Sequence, residues 1–187
     1  MAIREILRMG NPALLHPSEP VPDPTAPLIG DLLEDMRDTL EAVGGIGLAA
    51  PQIGTALRVV LFQLPASRIP AQAKTPPEPW TAMINPRVEP LGEERIDLWE
   101  RCLSLPGLYA QVSRFKHIRI HYVTADGKPV SVQRRGYLSA LLQHECDHLD
   151  GTLYPMRLQD PRRLAFASEV CGEGGVYAYS AAEFDGA

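Results

Sequence analysis

The sequence predicts an α+β fold in a single domain over residues 1–187, with mostly antiparallel β-strands packed around a buried central helix. Short apolar or alternating segments, separated by glycine and proline, dominate the middle of the chain and are typical of antiparallel strands. One amphipathic segment precedes them. Near the C-terminal end, a second helical segment is apolar on more than one face, which predicts that it is buried.

Composition places the chain among ordinary globular proteins, with 45% hydrophobic and 22% charged residues. A formal net charge of −5 and the lack of a long Lys/Arg cluster argue against nucleic acid as a direct partner. No run approaches the roughly 18 apolar residues of a membrane span, and the N-terminus lacks a signal-peptide core. Three widely spaced cysteines do not form a disulfide framework, so we expect a cytoplasmic protein without a membrane partner.

The N-terminal part predicts an irregular arm followed by a helix. Residues 11–27 are rich in proline, which is incompatible with a regular helix or a central strand. From Leu28 to Val43, apolar residues recur at intervals of three and four, as in an amphipathic helix, and Gly44 and Gly45 end it.

A series of extended segments follows. We expect a buried strand over residues 58–63, a surface loop over 64–79, and a strand over 80–85 that Pro86 stops. Further predicted strands, the last two joined at Asp126-Gly127, cover residues 87–91, 93–99, 111–113, 116–124 and 129–134.

The C-terminal part predicts two helices and a tail. Gly136 precedes the first helix and Gly151 follows its end as a C′ residue. Asp160 and Pro161 are a typical helix start, which predicts a short helix to about residue 170. The glycine-rich segment 171–187 is expected to be flexible.

The first of these helices carries His144, Glu145 and His148, an HExxH pattern within residues 143–149. Residues four apart lie on one helix face, so the two imidazoles can bind one metal ion while Glu145 reaches a water on it. A chance match on a surface helix is the alternative. The apolar residues around the motif predict burial instead, and buried polar groups need partners, which a metal supplies.

A catalytic site of this kind takes a third protein ligand. Cys146 faces away from the two histidines, and Cys171 lies in the glycine-rich tail. His117 and His121 are expected on the exposed face of a strand. Cys102 remains. It lies between polar residues and before Pro106-Gly107, which is expected to stop an extended segment, and a free core cysteine is the alternative interpretation.

Three segments resemble, in order, the signature motifs of the peptide deformylase family: residues 45–52, 100–104 and 143–149. The resemblance extends from about residue 6 to residue 156. It implies removal of the formyl group from the N-terminal formylmethionine of new polypeptides, with release of formate. It also implies metal ligation by Cys102, His144 and His148. Fe²⁺ is the expected physiological ion, with Ni²⁺, Co²⁺ or Zn²⁺ in purified protein.

The resemblance further implies roles around the metal. Glu145 would act as general base and acid, and Gln52 and the backbone N–H of Leu103 would donate to the formyl oxygen. N-formylmethionyl peptides are the expected partners, with transient contact at the ribosome exit region. The positions expected to line the peptide groove are Gly45, Ile46, Gly47, Arg101, Tyr137 and Leu141.

The match departs from the family pattern at three positions. Arg101 stands where the second motif normally has glycine, Gly44 where many members carry an acid, and Tyr109 where many carry arginine. These departures put substrate range and efficiency in question. Two alternatives therefore stay open: a related metallo-amidase acting on another small N-acyl amino acid or peptide, and a low-activity peptide-binding homologue.

Overall fold

The computed structural model describes residues 2–69 and 73–170, and its strands form two antiparallel sheets. The larger sheet has the strand order β1-β2-β3-β6-β7 and the smaller has β4-β5-β8. The strands are β1 (Gly47–Ala49), β2 (Val59–Leu64), β3 (Glu78–Pro90), β4 (Arg95–Cys102), β5 (Leu105–Phe115), β6 (His117–Val123), β7 (Pro129–Arg135) and β8 (Leu164–Phe166). The predicted α+β fold with mostly antiparallel strands is confirmed.

In the part of the chain that the structure describes, three α-helices accompany the sheets: α1 (Pro27–Val43), α2 (Gly136–Leu149) and α3 (Ala167–Val170). α1 buries Ile29, Met36 and Leu40 in a hydrophobic cluster that also contains residues of β1 and β2. The spacing of apolar residues along the helix predicted this buried face. It ends at Gly44, which has the left-handed φ of 67° that glycine adopts without steric cost.

α2 lies between the two sheets and contacts strands of both. Twelve of its fourteen residues are buried. Leu138, Leu142 and Leu149 are almost fully enclosed, and each stabilises the fold by roughly 2 kcal/mol on the usual scale of apolar burial. The polar side chains of α2 are therefore held in a fixed, water-poor environment.

The N-terminal arm is irregular, as predicted, but it is fastened to the rest of the chain. Leu14 and Val21 are buried, and the N–H of Ser18 donates to the carbonyl of Leu149 at 2.8 Å. Arg58 donates to the same carbonyl at 3.2 Å and pairs with Asp150 at 2.7 Å. A cation at this end of α2 also compensates the negative end of the helix dipole.

Two predictions about strand ends are wrong. Pro86 does not stop a strand, because β3 continues to Pro90 through an irregularity in its pairing between Ile84 and Arg87. Asn85 has a φ of 52° there, and its side chain hydrogen-bonds the N–H and carbonyl of Val21 at 2.8 and 2.9 Å. This bulge absorbs the proline. Likewise, the expected stop at Pro106-Gly107 lies inside β5.

The helix predicted for residues 160–170 is also largely wrong. Asp160 does cap a short 3-10 turn, Pro161–Arg163, by accepting from the N–H of Arg162 at 3.0 Å. The chain then forms β8, because pairing with β5 satisfies its backbone, and only residues 167–170 are helical. In the predicted loop 64–79, residues 66–68 form a 3-10 turn and β3 begins at Glu78. The predicted tail, 171–187, lies outside the described residues.

No helix in the described ranges has both the length and the apolar content needed to cross a lipid bilayer.

Gly151 closes the junction between α2 and the arm, and we expect Gly151→Ala to lower the free energy of unfolding by about 3 kcal/mol. Its φ is +68°, and an added Cβ would lie 2.7 Å from the backbone of Leu15. Gly54→Ala is the matched control, since Gly54 has a φ of +79° with nothing within 4 Å of the added Cβ. The control should cost about 1 kcal/mol in denaturant unfolding. Equal losses in the two variants would contradict the proposed close approach.

Candidate metal centre

Cys102, His144 and His148 converge where the end of β4 meets α2. One ligand atom from each lies within 4.8 Å of the others, and all three residues are buried. The sulfur of Cys102 is 3.2 Å from Nε2 of His148. A sulfur and two imidazole nitrogens are a donor set that transition metals favour in proteins, so these residues could hold one divalent ion.

Charge around the sulfur favours the form that a metal needs. Burial works against ionisation of the Cys102 thiol, but the charge of His148 and the hydrogen bond from His144 outweigh it and lower its pKa. The backbone N–H of Ser104 and the side-chain amide of Gln52 each donate to Sγ at 3.4 Å. These contacts stabilise a thiolate, which is the species that coordinates metals.

Glu100 orients the first histidine. Its Oε2 lies 2.7 Å from Nδ1 of His144, so Nδ1 carries the proton and Nε2 is the nitrogen available to a metal. Burial raises the pKa of Glu100, but Arg114 outweighs that effect and brings it to about 2. The carboxylate is therefore ionised at neutral pH.

Arg114 joins this site to the next turn of α2. Its guanidinium donates to both Glu100 oxygens at 2.6 and 2.8 Å and to Asp147 at 2.6 Å. Asp147 in turn accepts from Arg157 at 2.7 Å. The ring of Tyr154 stacks on His144 with centroids 5.9 Å apart. Each charge in the network of Arg114, Glu100 and Asp147 thus has a partner of opposite sign, which buried ionised groups require.

Glu145 lies beside the three candidate ligands and is buried. Burial raises its pKa to about 7, so it can accept or release a proton near neutral pH. Oε2 has no hydrogen-bond partner among the described residues. Such an orphaned buried oxygen is expected of a carboxylate whose partner comes from outside the chain. A Cβ on Gly47 would collide with Oε1, so only glycine fits there.

The amide of Gln52 has a fixed orientation. Its oxygen accepts from the N–H of Ala49 at 2.8 Å, while its nitrogen donates toward Cys102 and to the hydroxyl of Ser104 at 3.1 Å. Because the carbonyl is already engaged, the group can offer only N–H donors to the site. Leu103 occupies the turn between β4 and β5, and its side chain would lie 3.1 Å from a Cβ on Gly45.

The other sequence-predicted positions are next to these residues in the chain or on the elements that carry them. Ile46, Tyr137 and Leu141 are partly buried and pack against one hydrophobic cluster, which includes Leu142 and Cys146 of α2. Arg101 is exposed, and its Nη1 donates to the hydroxyl of Tyr109 at 3.3 Å.

The rejected metal ligands lie elsewhere. Cys146 belongs to the hydrophobic core, where burial raises the pKa of its thiol. His117 is 2.9 Å from Gln133, and His121 is 3.1 Å from Glu89. Cys171 lies outside the described residues.

Sequence reasoning assigned no supporting role to Glu100, Ser104, Arg114 or Asp147, although Glu100 and Ser104 were noted as the polar residues on either side of Cys102. A signal existed for Glu100, because residues two apart in a strand point to the same side, and Glu100 precedes Cys102 by two. Nothing in the sequence linked Arg114 to this site, since it comes from a strand in which it reads as one more surface charge.

Comparison with known proteins places the chain among relatives of one kind. The family profile of polypeptide deformylase matches residues 3–164. Peptide deformylase 1 from Prochlorococcus marinus (strain MIT 9313) is 45% identical over 98% of this chain and 95% of its own length. Peptide deformylase 1 from Nitrosomonas europaea is 42% identical, covering 90% of this chain and 94% of its own.

Solved structures agree. Peptide deformylase from Ehrlichia chaffeensis in complex with actinonin has a TM-score of 0.78 and 30% identity, covering 87% of this chain and 92% of that one. The class I type b peptide deformylase from Acinetobacter baumannii, with Met-Ala-Ser bound, has a TM-score of 0.77 and 28% identity, covering 84% of this chain and 99% of that one. The matched profile and the full-length similarity together show that this chain belongs to the polypeptide deformylase family.

Proposed function

We propose that the protein removes the N-formyl group from the N-terminal formylmethionine of newly made polypeptides and releases formate. Family membership over nearly the whole chain supports this activity. The observation that carries it is the convergence of Cys102, His144 and His148 beside the buried carboxylate of Glu145.

The three converging residues are proposed as ligands of one divalent metal ion. When bound, that ion would supply Lewis-acid chemistry, activating water and polarising the formyl carbonyl. Fe²⁺ is the proposed physiological ion, because a thiolate ligand suits a softer metal than an all-oxygen site would. Ni²⁺, Co²⁺ or Zn²⁺ can occupy the same donor set in purified protein.

Glu145 is proposed to carry the proton. A carboxyl group with a pKa near 7 accepts a proton from water and returns it to the departing amine within one turnover. Because Gly47 has no side chain, the Glu145 carboxylate can lie against the main chain of β1, where any Cβ would collide with it.

Gln52 and the backbone N–H of Leu103 are proposed to stabilise the oxyanion. Ala49 and Ser104 fix the Gln52 amide with its nitrogen toward the site, so the donor is in place before the substrate arrives. One such donor is typically worth about 3 kcal/mol in the transition state.

The peptide is proposed to bind in extended form along Gly45–Gly47, next to β1. This strand lies at the end of the larger sheet, so its outer edge can pair with an added strand. Ile46, Tyr137 and Leu141 would form an apolar pocket for the methionine side chain. Arg101, next to Cys102 and exposed, would face the part of the peptide beyond methionine.

Such a substrate exists where translation occurs, so we infer a cytoplasmic location and transient contact with the ribosome exit region. The two alternatives raised by Arg101, another metallo-amidase and a low-activity homologue, are not favoured, because relatives 40–45% identical are named peptide deformylases.

Glu145→Ala is expected to abolish formate release, by at least about a hundredfold in kcat, while the metal is retained. The parent and variant proteins would be loaded anaerobically with Fe²⁺ or Ni²⁺ and assayed with formyl-Met-Ala-Ser and acetyl-Met-Ala-Ser. Formate and new amine should appear only from the formyl peptide. Faster acetate release would support the metallo-amidase, and peptide binding without product the low-activity homologue.

Glu100→Gln is expected to weaken metal affinity by about 10–100-fold, because the neutral amide cannot hold the His144 imidazole as the carboxylate does. Titration against a competing chelator measures the metal affinity of each protein. Glu94→Gln is the matched control, since its partner Lys116 lies 2.7 Å away but its own side chain is 68% exposed. Unfolding temperatures with and without metal separate lost affinity from lost fold. An affinity equal to that of the control would refute the role of Glu100.

Arg101→Gln is expected to raise KM about threefold to tenfold for formyl-Met-Ala-Ser with a free C-terminal carboxylate, and to leave kcat unchanged. The corresponding C-terminal amide should be unaffected, because it carries no charge for the guanidinium. Arg8→Gln, an exposed arginine elsewhere on the chain, is the control. An equal change for both peptides would show that Arg101 does not contact the peptide end.

A further inference from the structure

A cavity of about 340 Å³ opens beside α2, on a different side from the metal residues. Gln143, Cys146 and Asp147 of α2 form part of its wall, and β3 and β5 supply most of the rest. We call it the arginine pocket, because it is lined by Arg58, Arg87, Arg95, Arg114 and Arg157.

Carboxylates neutralise only part of this charge. Asp150 pairs with Arg58 at 2.7 Å, and Asp147 pairs with Arg157 at 2.7 Å. Arg114 is neutralised mainly by Glu100, which does not itself line the pocket. The arginine pocket therefore has an excess of positive charge.

Two arginines account for that excess. Within residues 2–69 and 73–170, neither Arg87 nor Arg95 forms an ion pair. The guanidinium of Arg95 lies 3.9 Å from the centroid of the Phe115 ring, which holds it at the edge of the pocket. Arg87 follows the bulge of β3 and lines the same pocket from a different strand. Both side chains are available to a ligand.

The shape and chemistry of the pocket identify the class of that ligand. A guanidinium binds oxyanions through two parallel N–H donors, and phosphate matches that geometry. The volume falls in the range of small-molecule sites and exceeds the space a single phosphate needs. Phe115, Val88 and two prolines add apolar surface for an organic group.

We propose that the arginine pocket binds a small phosphate monoester, with the phosphate held between Arg87 and Arg95. None of the residues proposed to touch the formyl peptide lines this pocket, so the proposal is independent of the deformylase activity.

The test is calorimetric titration of the metal-loaded protein with adenosine monophosphate and, separately, inorganic phosphate, at constant ionic strength. Saturable binding is expected, and Arg87→Gln combined with Arg95→Gln should weaken it at least tenfold. Arg8→Gln combined with Arg163→Gln is the matched control, because it removes the same charge from exposed positions outside the pocket. Formate release should be unchanged in both double variants.

Four results would overturn the proposal. Absence of saturable binding by the parent protein would show that the pocket has no such ligand. Binding that persists in the Arg87/Arg95 variant would place the phosphate elsewhere, for example on the metal. An equal loss in the control would reduce the effect to overall charge. A single-stranded oligonucleotide that binds when the monophosphate does not would identify a nucleic-acid surface instead of a small-molecule site.

Discussion

The buried ion pair between Arg114 and Glu100 is the interaction on which the candidate metal centre depends. Both side chains are under 10% exposed, and the guanidinium holds both carboxylate oxygens. An isolated carboxylate at this depth would take up a proton, because burial disfavours charge. Arg114 keeps Glu100 ionised, and an ionised Glu100 holds one tautomer of His144. The geometry of the three candidate ligands thus depends on a charge supplied by the neighbouring strand β5.

The same arginine couples the site to the fold. By bonding Asp147 as well as Glu100, it joins α2 to the β4–β5 hairpin, which carries Cys102. The candidate ligands come from two separate elements, and their spacing depends on how those elements are packed. A buried network of this kind rigidifies when every member is satisfied. Because α2 is buried, this network is also shielded from water.

The sequence predicted well whatever depends on local pattern. α1, β2, β6 and β7 followed from hydrophobic period, and the HExxH helix followed from spacing. Local sequence pattern could not predict which distant segments pair with each other. Pro86 is tolerated because the Asn85 side chain replaces strand pairing with a bond to Val21, and residues 164–166 became a strand because β5 offered them an edge. Arg114 belongs to the same class, since its partners are 14 and 33 residues away.

In the proposed binding mode, the shortness of β1 limits how tightly the protein can bind a peptide. With three residues in the strand, a peptide laid along its edge can form only a few main-chain hydrogen bonds, each worth about 1 kcal/mol net. Main-chain hydrogen bonds do not discriminate among side chains. Because only a few of them form, the peptide can dissociate readily from β1. An enzyme that must act once on each nascent chain, whatever the sequence of that chain, benefits from binding that is weak and independent of sequence.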